Sequence, residues 1–117
     1  MDESILSIIK RRLGINTDVD EFDYDIRAHI NSAFLSLRQI GVGPATFFSI
    51  DTTTTWSEFA TSLPIDVIED YIYLKVKLVF DPPASASIIE AYKDRLSELE
   101  FRMNIEVDNG GGVVNDG

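Results

Sequence analysis

The one histidine of this sequence lies where it could begin a metal site. Asp25 precedes His29 by four residues, a spacing that places both side chains on one face of a helix. A metal centre started by such a pair needs further histidine or cysteine ligands, and the chain has no second histidine and no cysteine. We therefore interpret Asp25 and His29 as a surface pair on a helix.

A dense group of carboxylates overlaps this pair and could in principle bind calcium. Its members are Asp18, Asp20, Glu21, Asp23 and Asp25. A calcium loop needs alternating oxygen ligands, a central glycine and a terminal glutamate, and this run lacks the glycine. Acid–base catalysis by two carboxylates stays open, but the sequence shows no framework that would enclose such a pair in a pocket. We interpret the group as helix-capping and solvated residues.

Motifs of the common catalytic sites are absent from the sequence. There is no nucleophile elbow, no phosphate-binding glycine loop and no dinucleotide fingerprint, and the glycines at 110–112 follow a predicted helix without preceding another. We predict that the chain is not an enzyme, and that it uses no cofactor and no metal.

The only basic cluster is Lys10, Arg11 and Arg12. A patch that binds nucleic acid could use three adjacent cations, but adjacent residues on a helix point in different directions. Cations are also favoured in the last turn of a helix, and Gly14 supplies a typical stop signal just beyond them. The helix-end interpretation is therefore preferred.

Composition restricts the possible partners. The 117 residues suffice for one domain, and 44% of them are hydrophobic, as in a folded protein. Ten basic and twenty acidic side chains give a net charge of −10, which disfavours binding to nucleic acid or to an anionic membrane. The chain begins with acidic residues, unlike a signal peptide, and no apolar run is long enough to span a membrane. The absence of cysteine suits a reducing compartment. We expect a soluble, non-exported protein.

Apolar periodicity predicts a mainly α fold, a small bundle of about four helices. The predicted helices cover residues 3–13, a span from a cap at Asp20 to about residue 40, residues 64–80, and a span from a cap at Asp81 to about residue 105. A capping box at Thr55 and Glu58 predicts a further short helix to about residue 61.

The third of these helices includes a run, residues 71–80, that also has the alternation of a strand. As a helix from Pro64, the segment gathers its polar residues into one narrow stripe, and no turn residues precede a strand start at Tyr71. We therefore predict a helix. This places Lys75 on an apolar face, where it must extend its ammonium to water, pair with a carboxylate or face another subunit.

Two segments lie outside the helices. Residues 45–54 are rich in aromatic and β-branched residues and are predicted to be an extended arm, a short strand or a segment lying on a neighbour. Phe47, Phe48 and Trp56 are either lids on the core or interface residues. The glycine-rich residues 106–117 are predicted to form a flexible tail after a helical domain of residues 1–105.

The order of these elements resembles a known family. The stretches "FDYDIRAHINSAFLSLRQIGVGP", "TWSEF" and "YIYLKVKLVFDPPASASIIEAYKDRLSELEFRMN" resemble the small helical connector, or adaptor, proteins of tailed bacteriophages, often labelled head-completion or DNA-packaging proteins. The resemblance covers roughly residues 1–105 and rests on element order and on the "LKVKLVFDPP" junction rather than on catalytic residues.

The resemblance implies a structural virion protein, made in the bacterial host cytoplasm, that forms a ring of about a dozen copies beneath the portal. The ring would contact the portal protein and the next head-completion or tail protein, and DNA would pass through it without sequence-specific binding. In such a ring Lys75 could meet a carboxylate of the neighbouring copy. Val113 and Val114 could add as a strand to an exposed sheet edge of the portal.

Two other classes of protein stay open at this point. One is a small acidic helical adaptor or inhibitor that binds a host or phage protein in the cytoplasm. The other is an acid-based hydrolase, which would need carboxylates clustered in a pocket.

Overall fold

Four α-helices and one 3-10 turn make up the computed structural model, which describes residues 3–44 and 46–107. In chain order the helices are α1 (Ile5–Arg12), α2 (Asp23–Gln39), α3 (Ile65–Phe80) and α4 (Ala86–Glu106), and the 3-10 turn spans Trp56–Glu58. Over these described residues, β pairing is limited to one isolated bridge between Ser4 and Thr55. The predicted mainly α fold is confirmed, and the ambiguous run at residues 71–80 is helical.

The predicted cap of α2 is wrong. The helix begins after Phe22, whose side chain makes no capping bond, and Asp20 contributes its backbone carbonyl, which accepts the Asp23 N–H at 3.2 Å. Asp20 therefore belongs to a separate turn before the helix. The first helix is capped conventionally, because the Ser4 hydroxyl accepts the Ser7 N–H at 3.1 Å.

The predicted cap of α4 is also wrong. Asp81 ends α3, and its carboxylate is bound by the ammonium of Lys77 at 2.9 Å. Ser85 caps α4 instead, accepting the Ile88 N–H at 3.4 Å. The short helix predicted to about residue 61 is a single turn, because Phe59 takes an extended backbone conformation and buries its ring.

The centre of the molecule is the packing of α2 against α3. The two helices run antiparallel: the Phe22 and Phe80 rings lie 5.7 Å apart at one end. At the other end of α2, the Asn104 amide donates to the Ile40 carbonyl at 3.4 Å, so the end of α4 lies beside the end of α2. α1 covers α2 and α3, and α4 packs on α3. The core includes Ile5, Ile9, Ile26, Ile30, Leu37, Ile68, Tyr71, Ile72, Val76, Leu99 and Met103.

Residues 46–54 contact their own chain. The Ile5 N–H donates to the Thr54 carbonyl at 2.8 Å, and the Ile50 N–H donates to the Asn31 side chain at 2.7 Å. Asp51 closes the turn that follows by accepting hydrogen bonds from Thr53 and Thr54, and these bonds lower its pKa to about 2. Of the predicted alternatives, residues 46–54 do not form a short strand, and the segment joins the start of α1 to the middle of α2 of its own chain.

An aromatic cluster lies under this segment. The Phe34 ring packs at 5.0 Å from Phe48 and 5.1 Å from Phe59, with Trp56 at 5.8 Å from both Phe34 and Phe59. Gly43 passes directly over it with φ of +101°, and a Cβ atom there would lie 2.7 Å from the tip of the Phe59 ring. The glycine is required both by the left-handed backbone and by the close approach.

We predict that Gly43→Ala destabilises the fold more than Gly14→Ala does. Gly14 also has a positive φ, of +83°, but a Cβ there would meet open space. Gly14→Ala should therefore cost about 1–2 kcal/mol for the left-handed backbone alone, and Gly43→Ala should add about 1–3 kcal/mol for displacing a packed ring. Urea denaturation of both variants measures the difference. Equal losses of stability would show that the Phe59 ring moves aside freely.

Candidate functional site

A buried lysine fixes the loop between α1 and α2. The side chain of Lys10 is 3% exposed, and its ammonium lies 2.8 Å from the Asp23 carboxylate. The ammonium also donates to the backbone carbonyls of Thr17 at 3.1 Å and Val19 at 2.6 Å. Two of the three N–H donors of the ammonium are thus used by backbone carbonyls, and its charge is balanced by the Asp23 carboxylate. We call this set, Lys10 with Asp23, Thr17 and Val19, the lysine clamp.

The clamp was missed by the sequence analysis, which treated Lys10 as one of three solvated helix-end cations. The burial of Lys10 could have been predicted from its position in α1. It lies four residues after Leu6 and three before Leu13, and therefore on the face that α1 turns towards the core.

The other two cations of the cluster are paired on the surface. Arg11 bonds to Glu3. Arg12 lies 3.2 Å from Glu69 and 2.9 Å from Asp70, and its guanidinium stacks over the Tyr73 ring at 4.5 Å from the centre. All three cations therefore have partners within the chain, and they do not form one patch for phosphate.

The residues considered for a metal do not assemble into a site. Within residues 3–44 and 46–107, no group of three or more histidine, cysteine or carboxylate residues could bind a metal ion. His29 is half-buried, and the hydrogen bonds and ion pairs of this described part include none between it and Asp25. The predicted surface pair is thus not formed.

The carboxylate group instead belongs to an exposed surface that also contains apolar side chains. We call residues 18–25 the acidic loop, although its last three residues begin α2. Asp18, Asp20, Glu21 and Asp25 are exposed, and so are the rings of Tyr24, 75% accessible, and Phe22, 39% accessible. Large exposed aromatic side chains beside charges are typical of contact surfaces between proteins.

The predicted interface aromatic residues fall into two environments. Phe48 and Trp56 are half-buried members of the aromatic cluster, so most of their contacts are with their own chain. Phe47, which directly precedes Phe48 in sequence, is 58% exposed. Their role at an interface stays a prediction, for which Phe47 offers the most free surface.

Lys75 makes a contact within the chain. Its side chain is half-buried, and its ammonium lies 5.8 Å from the centre of the Tyr71 ring. The Tyr71 hydroxyl donates to Glu100 at 2.6 Å, and burial of the ring raises the tyrosine pKa. Whether Lys75 also faces a second subunit stays a prediction. Val113 and Val114 lie outside the described residues.

A groove lies between the start of α3 and the second half of α4. It has a volume of about 500 Å³. Its lining consists of Ser62, Leu63, Pro64, Val67, Arg95, Leu99, Arg102, Met103, Ile105 and Glu106. We call it the arginine groove. This groove could not be predicted from the sequence, because its two walls come from different helices and meet only through tertiary packing.

The two arginines of the groove share one carboxylate. Arg95 and Arg102 each lie 3.0 Å from Glu98, and their hydrogen bonds and charge lower its pKa. The arginine side chains remain 47% and 68% exposed. Since each guanidinium has five N–H donors, most of these donors stay free for another acceptor.

By its fold and its surfaces, this is a small helical protein with sites suited to contact with other proteins. No helix of the described part is long and apolar enough to cross a membrane. The phage connector protein family model matches residues 5–110, and the chain belongs to this family. Comparison with curated proteins and with solved structures gave no significant match. The resemblance noted from the sequence is confirmed, and the protein is a structural connector protein of a phage.

The lysine clamp should contribute more to stability than the neighbouring surface pairs. We predict that Lys10→Met lowers the free energy of unfolding by about 3 kcal/mol, because it leaves the Asp23 carboxylate and two carbonyls without their donor. The matched control, Arg11→Met, removes an exposed pair that is screened by solvent, and should cost much less. Urea unfolding followed by circular dichroism measures both. Similar losses in the two variants would contradict the structural importance of the clamp.

Proposed function

We propose that this protein forms a ring at the head-tail interface of the phage particle, attached to the portal and extending the DNA channel. The observation that carries the proposal is the match to the connector family over residues 5–110, almost the whole chain. A ring of about a dozen copies is a cyclic assembly, in which one surface of each subunit meets a different surface of the next. The portal lies on one side of this ring and the next head-completion or tail protein on the other.

The charge distribution suits a channel through which DNA must slide. The net charge is −10, and the three clustered cations at positions 10–12 are all paired within the chain. A surface with a large excess of acids does not retain phosphates, because binding to DNA depends on lysine and arginine replacing the counterions of the backbone. DNA therefore passes without sequence-specific contact.

Contacts with the portal are proposed for the exposed Phe47 and for the C-terminal segment. Phe48 and Trp56 hold the segment around Phe47 against the core, because both rings belong to the aromatic cluster. Lys75 is placed near a subunit boundary. Val113 and Val114 add as a strand to an exposed sheet edge of the portal, since paired β-branched residues favour extended pairing.

Purified phage particles test the virion assignment. We expect quantitative mass spectrometry to find this chain at close to one copy for each portal subunit, because a ring stacked on the portal needs comparable numbers of both. Tail-less and DNA-free particles purified alongside would show at which step the ring is added. Absence of the chain from all particles would contradict the proposal.

Truncation tests the proposed role of the C-terminal segment. A chain ending after Val107 retains all four helices and should keep its helical circular dichroism while losing binding to purified portal. The variant Val113→Asp with Val114→Asp keeps the length and should behave like the truncation, whereas Asn115→Ala should bind normally. Full-strength portal binding by the truncated chain would show that the portal contact lies within the helical body.

A further inference from the structure

We propose that the acidic loop of one copy docks into the arginine groove of the next copy. The proposal rests on the ring of the proposed function and identifies the two unlike surfaces that such a ring needs. The occupant of the groove is thus a second copy of this chain, through its residues 18–25.

The groove offers an apolar floor with cationic donors at its edge. Leu99 and Met103 are buried at its base, and Leu63 and Val67 form the opposite wall. Arg95 and Arg102 pair only with Glu98 among the described residues, and the groove lining also includes one acid, Glu106. A fitting occupant would therefore present an apolar or aromatic side chain together with more than one carboxylate.

The acidic loop has this composition. Tyr24 and Phe22 supply exposed rings, and the carboxylates next to them in sequence form no ion pair among the described residues, Asp23 excepted. Docking would give these carboxylates the guanidinium partners that they lack within their own chain. Since the whole subunit is strongly acidic, contact between copies needs such a local match of opposite charges to overcome general repulsion.

The lysine clamp prepares the loop for docking. The Lys10 ammonium binds the carbonyls of Thr17 and Val19 and the side chain of Asp23, so the backbone on both sides of the loop tip is fixed before any partner arrives. A preorganised loop loses little conformational entropy on binding.

The geometry of α3 makes the contact intermolecular. The groove includes Val67 near the start of α3, whereas the acidic loop reaches Phe80 at its end through the Phe22 ring. Thirteen residues of helix separate these two points by about 20 Å. The loop of a given copy therefore cannot fill its own groove. A contact between two unlike surfaces at opposite ends of a subunit continues from copy to copy, as a ring requires.

Reversal of charge on the two surfaces tests the pairing. The groove variant is Arg95→Glu with Arg102→Glu, and the loop variant is Asp20→Lys with Glu21→Lys. Each alone places like charges at every contact and should weaken self-association at least about tenfold. An equimolar mixture of the two should assemble again, because each acidic groove then meets a basic loop and each native groove meets a native loop. Native mass spectrometry and sedimentation velocity measure all samples.

Matched controls separate this contact from general charge effects. The variant Arg38→Glu with Lys93→Glu changes the net charge by the same amount on exposed residues outside the groove, and should assemble like the wild type. Arg95→Gln with Arg102→Gln removes the charges without adding acids beside Glu98, and should weaken assembly less than the reversal does. Circular dichroism verifies that each variant is folded.

Disulfide trapping tests the same contact without depending on charge. The chain has no cysteine, so Tyr24→Cys combined with Ile105→Cys introduces the only two thiols. Oxidation should give a ladder of covalent oligomers. The pair Tyr24→Cys with Lys93→Cys, whose second thiol lies outside the groove, should not. An intrachain bond is excluded by the length of α2, about 24 Å between the two ends that these residues adjoin.

The outcomes distinguish this interface from the ring itself. A wild type that assembles while both reversed variants assemble equally well would overturn the loop-groove contact and leave the ring in place. A wild type that does not assemble, together with a Tyr24→Cys with Ile105→Cys variant that gives no ladder, would overturn both. A third outcome would also overturn the proposal. If truncation after Val107 makes the thiol of Ile105→Cys react faster, and reversal of the charges in the acidic loop does not change assembly, then the C-terminal segment of the same chain occupies the groove.

Discussion

The buried ammonium of Lys10 is the contact on which the arrangement of the first third of the chain depends. An unpaired charge in such a place would be strongly unfavourable, so the loop after α1 must bring carbonyls and a carboxylate to it. That requirement fixes where the loop runs and where α2 begins, and it leaves the other acids of the loop outside. The exposed acidic and aromatic surface of residues 18–25 is thus a consequence of the contacts that the buried Lys10 ammonium requires.

A second constraint is the antiparallel packing of α2 and α3, which sets the distance between the acidic loop and the arginine groove. The acidic loop lies at one end of this pair, and the arginine groove lies at the other, where α4 and the start of α3 meet. The aromatic cluster beneath residues 46–59 supports the end of α2 that lies nearer the arginine groove. Two different exposed surfaces at opposite ends of the molecule therefore follow from the packing of one helix pair.

The helices could be predicted because each has a long apolar stripe, and even the strand-like run after Tyr71 is helical once its polar residues are seen to share one face. Caps were less predictable, since several acids and serines compete near each start and other contacts decide among them, as the local pair of Lys77 with Asp81 at the end of α3 does. The family could be recognised from element order. The groove could not, because Val67 and Leu99 are distant in sequence and meet only when α4 folds onto α3.

Both ends of α1 are bound to residues that lie far away in the sequence. Ile5 donates to Thr54, and Arg12 at the other end of the same helix pairs with Glu69 and Asp70. During synthesis α1 leaves the ribosome first, yet its partners follow some fifty to sixty residues later. Helices of this length have little stability alone. α1 therefore gains its structure only after α3 has been made, and its apolar face remains available to chaperones until then.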